Sequence, residues 1–183
     1  MAVAKAVLEL IEKDGLLGVT HSKVARKSKV SRAWIYEYIG KDKNAFIEFA
    51  AEAFASYVAR LNIEMPKTKE QLQDRLKSGI RFFFESVAKD PVIIKVYFRF
   101  RGSANPIGDV IKKYEKKWFE MVINGINEFI ALPAEQAAML VETVLILRLG
   151  FAHRLATSET PEDTRKKAED TFDQLHGLIS NFI

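Results

Sequence analysis

Residues 29–43, KVSRAWIYEYIGKDK, set Trp34, Tyr36 and Tyr38 among Lys29, Arg32, Lys41 and Lys43 in a segment too short to be a core of its own. These residue types suit contact with a nucleic acid. Lysine and arginine neutralise phosphates, phenol hydroxyls donate to phosphate oxygens, and aromatic rings meet sugars and bases. At 100° per residue, Ile35 and Ile39 define the buried direction of a short helix, and Ala33, Trp34 and Glu37 lie furthest from it. Tyr36 and Tyr38 fall on the flanks, about 80° away on opposite sides. Arg32 lies in the first turn, where a cation and the helix N-terminus both favour phosphate. Trp34 either touches base or sugar or folds back against the first helix. Glu37 is a solvated residue, an acceptor for a cytosine amino group, or a group that excludes a nearby phosphate.

The charge distribution points the same way. Residues 1–45 carry nine Lys/Arg against five Asp/Glu, whereas the rest of the 183 residues carry 19 of each. The whole net charge of +4 therefore resides in the first quarter of the chain, as a polyanion-binding head on a neutral body would require.

The elements that must position these residues read as helix throughout. Val3, Val7, Leu8, Leu10 and Ile11 share one side of a helix over residues 2–14, which Gly15 ends. Thr20 caps a short helix to about Lys27, Ser31 caps a second to about Ile39, Gly40 stops it, and Asp42 caps a long fourth helix. Two short helices joined by a tight turn are the pattern of a helix-turn-helix. Ala25 is small enough for a close helix crossing, and Val24, Val30, Ile35 and Ile39 are spaced to pin the pair together. Beyond the head, proline and glycine punctuate helices over 69–89, from Pro91 to Phe100, 107–131, 134–157, and from the SETPED signal to the C-terminus. The expectation is an all-α protein of about nine helices, divided into a head over 1–45 and a helical body over 46–183.

The run GVTHSKVARKSKVSRAWIYEYIGKDKNAF resembles the DNA-binding head of the tetracycline-repressor (TetR) family of bacterial transcription factors, over about residues 3–47. The resemblance implies that Thr20 caps helix 2 and touches a phosphate, with His21 beside it. Ser31, Arg32, Ala33 and Trp34 stand where the family contacts bases and sugar-phosphate. Tyr36 would donate to a phosphate, and Tyr38 would approach the backbone. The turn into helix 4 is one residue longer than usual, so Lys41 and Lys43 compete for a further phosphate role. Two departures stand out. Lys29 replaces the usual turn glycine, which strains the chain if the backbone there is left-handed. Trp34 replaces a small polar residue.

The resemblance also implies a body that encloses a small-molecule effector and pairs with its copy. Tyr57, Arg81, Tyr114, Trp118, Met121 and His153 are candidate cavity-lining residues, although residues of these types at helical spacing are more often structural. Leu145, Leu149, Phe172, Leu175, Leu178, Ile179 and Phe182 are candidates for a homodimer interface of four helices. A two-fold dimer suits a palindromic site, because one short recognition helix binds weakly alone.

Other classes fit poorly. With no cysteine there is no disulfide framework and no thiolate metal site, which suits a reducing cytoplasm. The N-terminus has alternating charge rather than a signal-peptide pattern. The apolar run 137–155 is broken by Glu142, Arg148, His153 and Arg154, so no membrane span is expected. His21, His153 and His176 lack metal-ligand spacing, and neither a phosphate-binding glycine loop nor a Gly-x-Ser-x-Gly elbow is present, so no enzyme and no cofactor is expected. The reading is a cytoplasmic regulator that binds double-stranded DNA, most simply a repressor released by a small apolar ligand. An activator or nucleoid-associated factor without ligand gating is the alternative, and an all-α enzyme or binding protein a remote one.

Overall fold

The computed structural model describes residues 2–59, 67–129 and 132–180. Among them are nine helices: α1 (Ala2–Gly18), α2 (His21–Ser28), α3 (Arg32–Tyr38), α4 (Lys43–Ala59), α5 (Lys69–Lys89), α6 (Val92–Phe100), α7 (Pro106–Phe129), α8 (Ala134–Thr157) and α9 (Pro161–Ser180). No strand occurs among the described residues. The boundaries follow local chemistry. The Thr20, Ser31 and Thr68 hydroxyls accept from the backbone N–H groups of Lys23, Trp34 and Gln71, capping α2, α3 and α5. The Oδ1 of Asn105 accepts from the N–H groups of Ile107 and Gly108 at 3.0 and 3.1 Å and so opens α7. Gly15, with φ 74°, interrupts α1 one residue beyond the expected helix, and a further turn runs to Gly18.

Contacts divide the chain into two units: Met1–Arg60 with Lys95–Tyr114, and Leu61–Ile94 with Glu115–Ile183. In the first, α1 packs on α2 and α4, and α2 packs on α3. Val7, Ile11, Val24, Ile35, Phe46 and Phe54 are fully buried there. Burial of six such side chains, at about 1.5–3 kcal/mol each, dominates anything the surface can contribute. The broken end of α1 is held by Arg99 of α6, whose guanidinium donates to the carbonyl of Glu12. A cation at a helix C-terminus also meets the negative end of the helix dipole.

In the second unit α5, α8 and α9 pack on one another. Phe84 is fully buried, with the Phe83, Phe151 and Phe172 rings 5.6–6.4 Å from its own. Trp118, Val122 and Ile126 of α7 form a further cluster with Leu72, Ala137 and Val141. The guanidinium of Arg148 lies 4.0 Å from the ring centre of Phe83 and 5.7 Å from that of Trp118. No helix among the described residues is long and apolar enough to cross a membrane.

Candidate nucleic-acid interface

The site is built on α2, α3 and the turns around them. Lys29 closes α2 in the left-handed conformation (φ 57°, ψ 29°), the one non-glycine residue with positive φ among those described. Lysine therefore holds the turn position where the resemblance led one to expect glycine. The chain re-enters helix at Ser31, whose Oγ accepts from the Trp34 N–H at 3.2 Å. Val24 and Ile35 are both completely buried, and α2 packs on α3, so the burial of Ile35 fixes which side of α3 is turned inward. At its far end Gly40, with φ 117°, donates back to the Ile35 carbonyl at 3.1 Å and ends the helix.

With Ile35 inward, the rest of α3 is turned out. Arg32, Ala33, Trp34, Tyr36, Glu37 and Tyr38 are all exposed, Trp34 at 38% and Tyr38 at 64%. The outward direction expected for Trp34 is therefore the one the structure adopts. Two contacts are added that a burial axis alone does not reveal. Trp34 and Tyr38, one turn apart, stack with ring centres 4.7 Å apart and planes 28° from parallel. Tyr36 leans on the imidazole of His21, with centres 4.6 Å apart. Spacing of i and i+4 is the signal by which the first pair was findable.

His21 is engaged within the head rather than beside the Thr20 hydroxyl at the surface. Its Nε2–H donates to the Gly40 carbonyl at 2.9 Å, and its ring meets Phe46 edge-on at 4.6 Å. Because a carbonyl only accepts, Nε2 carries the proton. Thr20 itself is exposed at the mouth of α2. Lys41 is exposed; Lys43 begins α4, and its side chain lies outside the described residues.

The cations sort into two groups. Lys23 and Lys27 of α2 form 2.7 Å ion pairs with Asp14 and Glu9 of α1. The hydrogen bond from Lys23 holds the Asp14 carboxyl below the ordinary carboxylate range. Arg26, Lys29, Arg32 and Lys41 are exposed, with an Arg32 Nη1 to Ser22 Oγ contact of 3.5 Å. Thr20, Ser31, Arg32, Ala33, Trp34, Tyr36, Tyr38 and Lys41 thus lie on α3 and on the caps and turns around α2 and α3, and all are exposed.

Residues proposed for the body are placed less uniformly. Trp118 and Met121 belong to the apolar cluster of α7, Tyr114 is half-buried, and Arg81 is exposed in a 3.0 Å ion pair with Asp173. His153 is exposed, and the side chain of Tyr57 lies outside the described residues. Among the interface candidates, Phe172 is taken up by the chain's own core against Phe84 and Phe151. Leu145, Leu149 and Leu175 are half-buried. The side chains of Leu178 and Ile179, and all of Phe182, lie outside the described residues. Sequence reasoning passed over Met139 and Ile146, which α8 exposes at 66% and 62%.

A helix-turn-helix at α2–α3 within nine helices is the fold of the TetR-family transcriptional regulators. No family model matches the sequence, and no curated protein matches it. Solved structures do. A TetR-like transcriptional regulator from Rhodococcus sp. RHA1 superposes with a TM-score of 0.72 at 16% identity, over 97% of this chain and 94% of that one. The transcriptional regulator FadR from Bacillus subtilis, solved with stearoyl-CoA, gives 0.67 at 17% identity over 96% of each chain. A TetR variant from Acinetobacter baumannii AYE, solved with minocycline, gives 0.58 at 18% identity, over 99% of this chain and 95% of that one.

Proposed function

We propose that the chain is a homodimeric transcriptional regulator that binds a palindromic operator through α3, and a repressor released by a small, largely apolar ligand. The observation that carries the reading is the exposed face of α3, where Arg32, Ala33, Trp34 and Tyr38 stand outward while Ile35 alone is buried. A short helix set in this way enters a major groove, and a two-fold copy about 34–36 Å away reads the second half-site. Thr20, Tyr36, Lys41 and Lys43 supply the phosphate contacts that fix register, and the base-facing residues of α3 supply the choice of sequence. The division of labour is a DNA-binding head over 1–45 and an effector and dimerisation body over 46–183. The exposed Met139 and Ile146 of α8 support a copy packing on that helix.

Ligand control is supported by two similar structures that hold small molecules, one stearoyl-CoA and one minocycline. Such a ligand acts only through its different affinity for the DNA-competent and DNA-released states. The reading is a regulator rather than an enzyme. Fluorescence anisotropy with random-sequence duplex DNA tests it: affinity should fall steeply as salt rises, because phosphate contacts release counterions. Tyr36→Phe and Lys43→Ala should weaken binding on every sequence alike. Binding indifferent to salt, or a monomer by light scattering at micromolar protein, would overturn it.

A further inference from the structure

We propose that the stacked Trp34–Tyr38 pair is a reader of the thymine C5-methyl group, so that A·T pairs in the operator are recognised from the thymine side. The inference rests on the DNA-binding reading above and adds the chemistry of base choice. Each base offers the major groove a different group, and a protein must match it with a particular side chain. Guanine is met by arginine or lysine, adenine by asparagine or glutamine, cytosine by a carboxylate, and the thymine methyl by an apolar surface.

The residues of α3, RAWIYEY, can be set against that code. Arg32 carries donors of the kind guanine requires, and Glu37 an acceptor of the kind a cytosine amino group requires; both are exposed. Neither asparagine nor glutamine is present in α3, so no side chain there makes the two-point contact with adenine. The remaining outward residues are Ala33, Trp34, Tyr36 and Tyr38. Tyr36 is drawn aside onto His21, which leaves Ala33, Trp34 and Tyr38 as the apolar part of the face.

Geometry favours the Trp34 ring for this task. Indole has a single polar group, the Nε1–H donor, so the face that Tyr38 does not cover selects by apolar contact. Stacked 4.7 Å from Tyr38 at an angle of 28°, the ring is held in one plane before any DNA arrives. An immobilised ring loses little freedom on binding. Cations at Lys29, Arg32 and Lys41 draw a polyanion to the same surface.

The test uses the full-length chain and duplexes selected by it from a random pool. A selected duplex is resynthesised with uracil in place of thymine, which deletes the C5-methyl and keeps the hydrogen-bonding groups. The wild type should bind the uracil duplex about fourfold more weakly for each contacted methyl. Trp34→Ala, checked for folding by its melting temperature, should lose most of the preference for the thymine duplex, and Tyr38→Ala should narrow it. Equal binding of both duplexes by the wild type, or an undiminished preference in Trp34→Ala, would overturn the inference. The wild-type comparison stands even if a variant fails to fold. Failure to bind any duplex in a salt-dependent manner would overturn the DNA-binding reading instead.

Discussion

The Nε2–H of His21 donates to the carbonyl of Gly40 at 2.9 Å, joining the first residue of α2 to the turn that leads into α4. The same imidazole touches the rings of Tyr36 and Phe46. One side chain therefore sets both the exit from α3 and the seat of Tyr36. His21→Ala should lower stability by about 1–3 kcal/mol, from a half-buried carbonyl left without its donor and from lost packing. Urea unfolding checks this. A loss of DNA affinity with unchanged stability would mean instead that His21 acts directly at the interface.

Lys29 offers a gain rather than a loss. A left-handed conformation at φ 57° is costly for an L side chain, by roughly 1–2 kcal/mol, part of which glycine recovers. Lys29→Gly should raise stability by up to about 1 kcal/mol, and Lys29→Val should lower it. Unfolding midpoints of the two variants should move in opposite directions.

The pairing of Asp14 with Lys23 carries a pH signature. A carboxyl held below its ordinary range when folded contributes stability above the unfolded value, and that contribution fades as pH falls through the folded one. Asp14→Asn should therefore be less stable than wild type at neutral pH and converge with it in acid, below about pH 4. Melting temperatures of both proteins across that range check the sign.

Phe172 separates core from interface. Its ring is buried against Phe84 and Phe151, so Phe172→Ala should cost about 3–5 kcal/mol of folding stability. The loss should be independent of protein concentration. A variant that keeps its fold but dissociates on dilution would place Phe172 at a subunit contact.

Much of the head was legible because its determinants are local. Thr20 and Ser31 announce their helices by hydroxyl type and position, and Ile35 with Ile39 fixes which way α3 turns. The outward setting of Trp34 follows from that axis alone. What was not legible depends on partners distant in the chain. Nothing near His21 indicates that Gly40 and Phe46 will surround it, because their approach is made by the packing of α1, α2 and α4. Arg99 gives no local sign that it will hold the broken end of α1 at Glu12. Phe172 shows a different limit. An apolar stripe on a helix reads the same whether its own chain or a copy covers it, and only the tertiary fold decides which residues are left over. Here Phe172 is used internally, and Met139 and Ile146 remain exposed.

Gly15→Ala should test that remote support directly. The residue has φ 74°, and a Cβ there would stand 3.0 Å from a nitrogen of Arg99. The substitution should destabilise the chain by about 1–2 kcal/mol, read by thermal unfolding.

The lysine at the α2–α3 corner also bears on motion. A glycine there would have a wide range of left-handed backbone angles, and the two helices could swing about it. The well open to lysine is small, near φ +50 to +70° and ψ +30 to +60°, and Lys29 sits at its edge. The corner therefore has less backbone freedom than a glycine would give it. On the DNA-binding reading proposed above, Thr20 at one end and the aromatic pair at the other would then enter and leave a groove together.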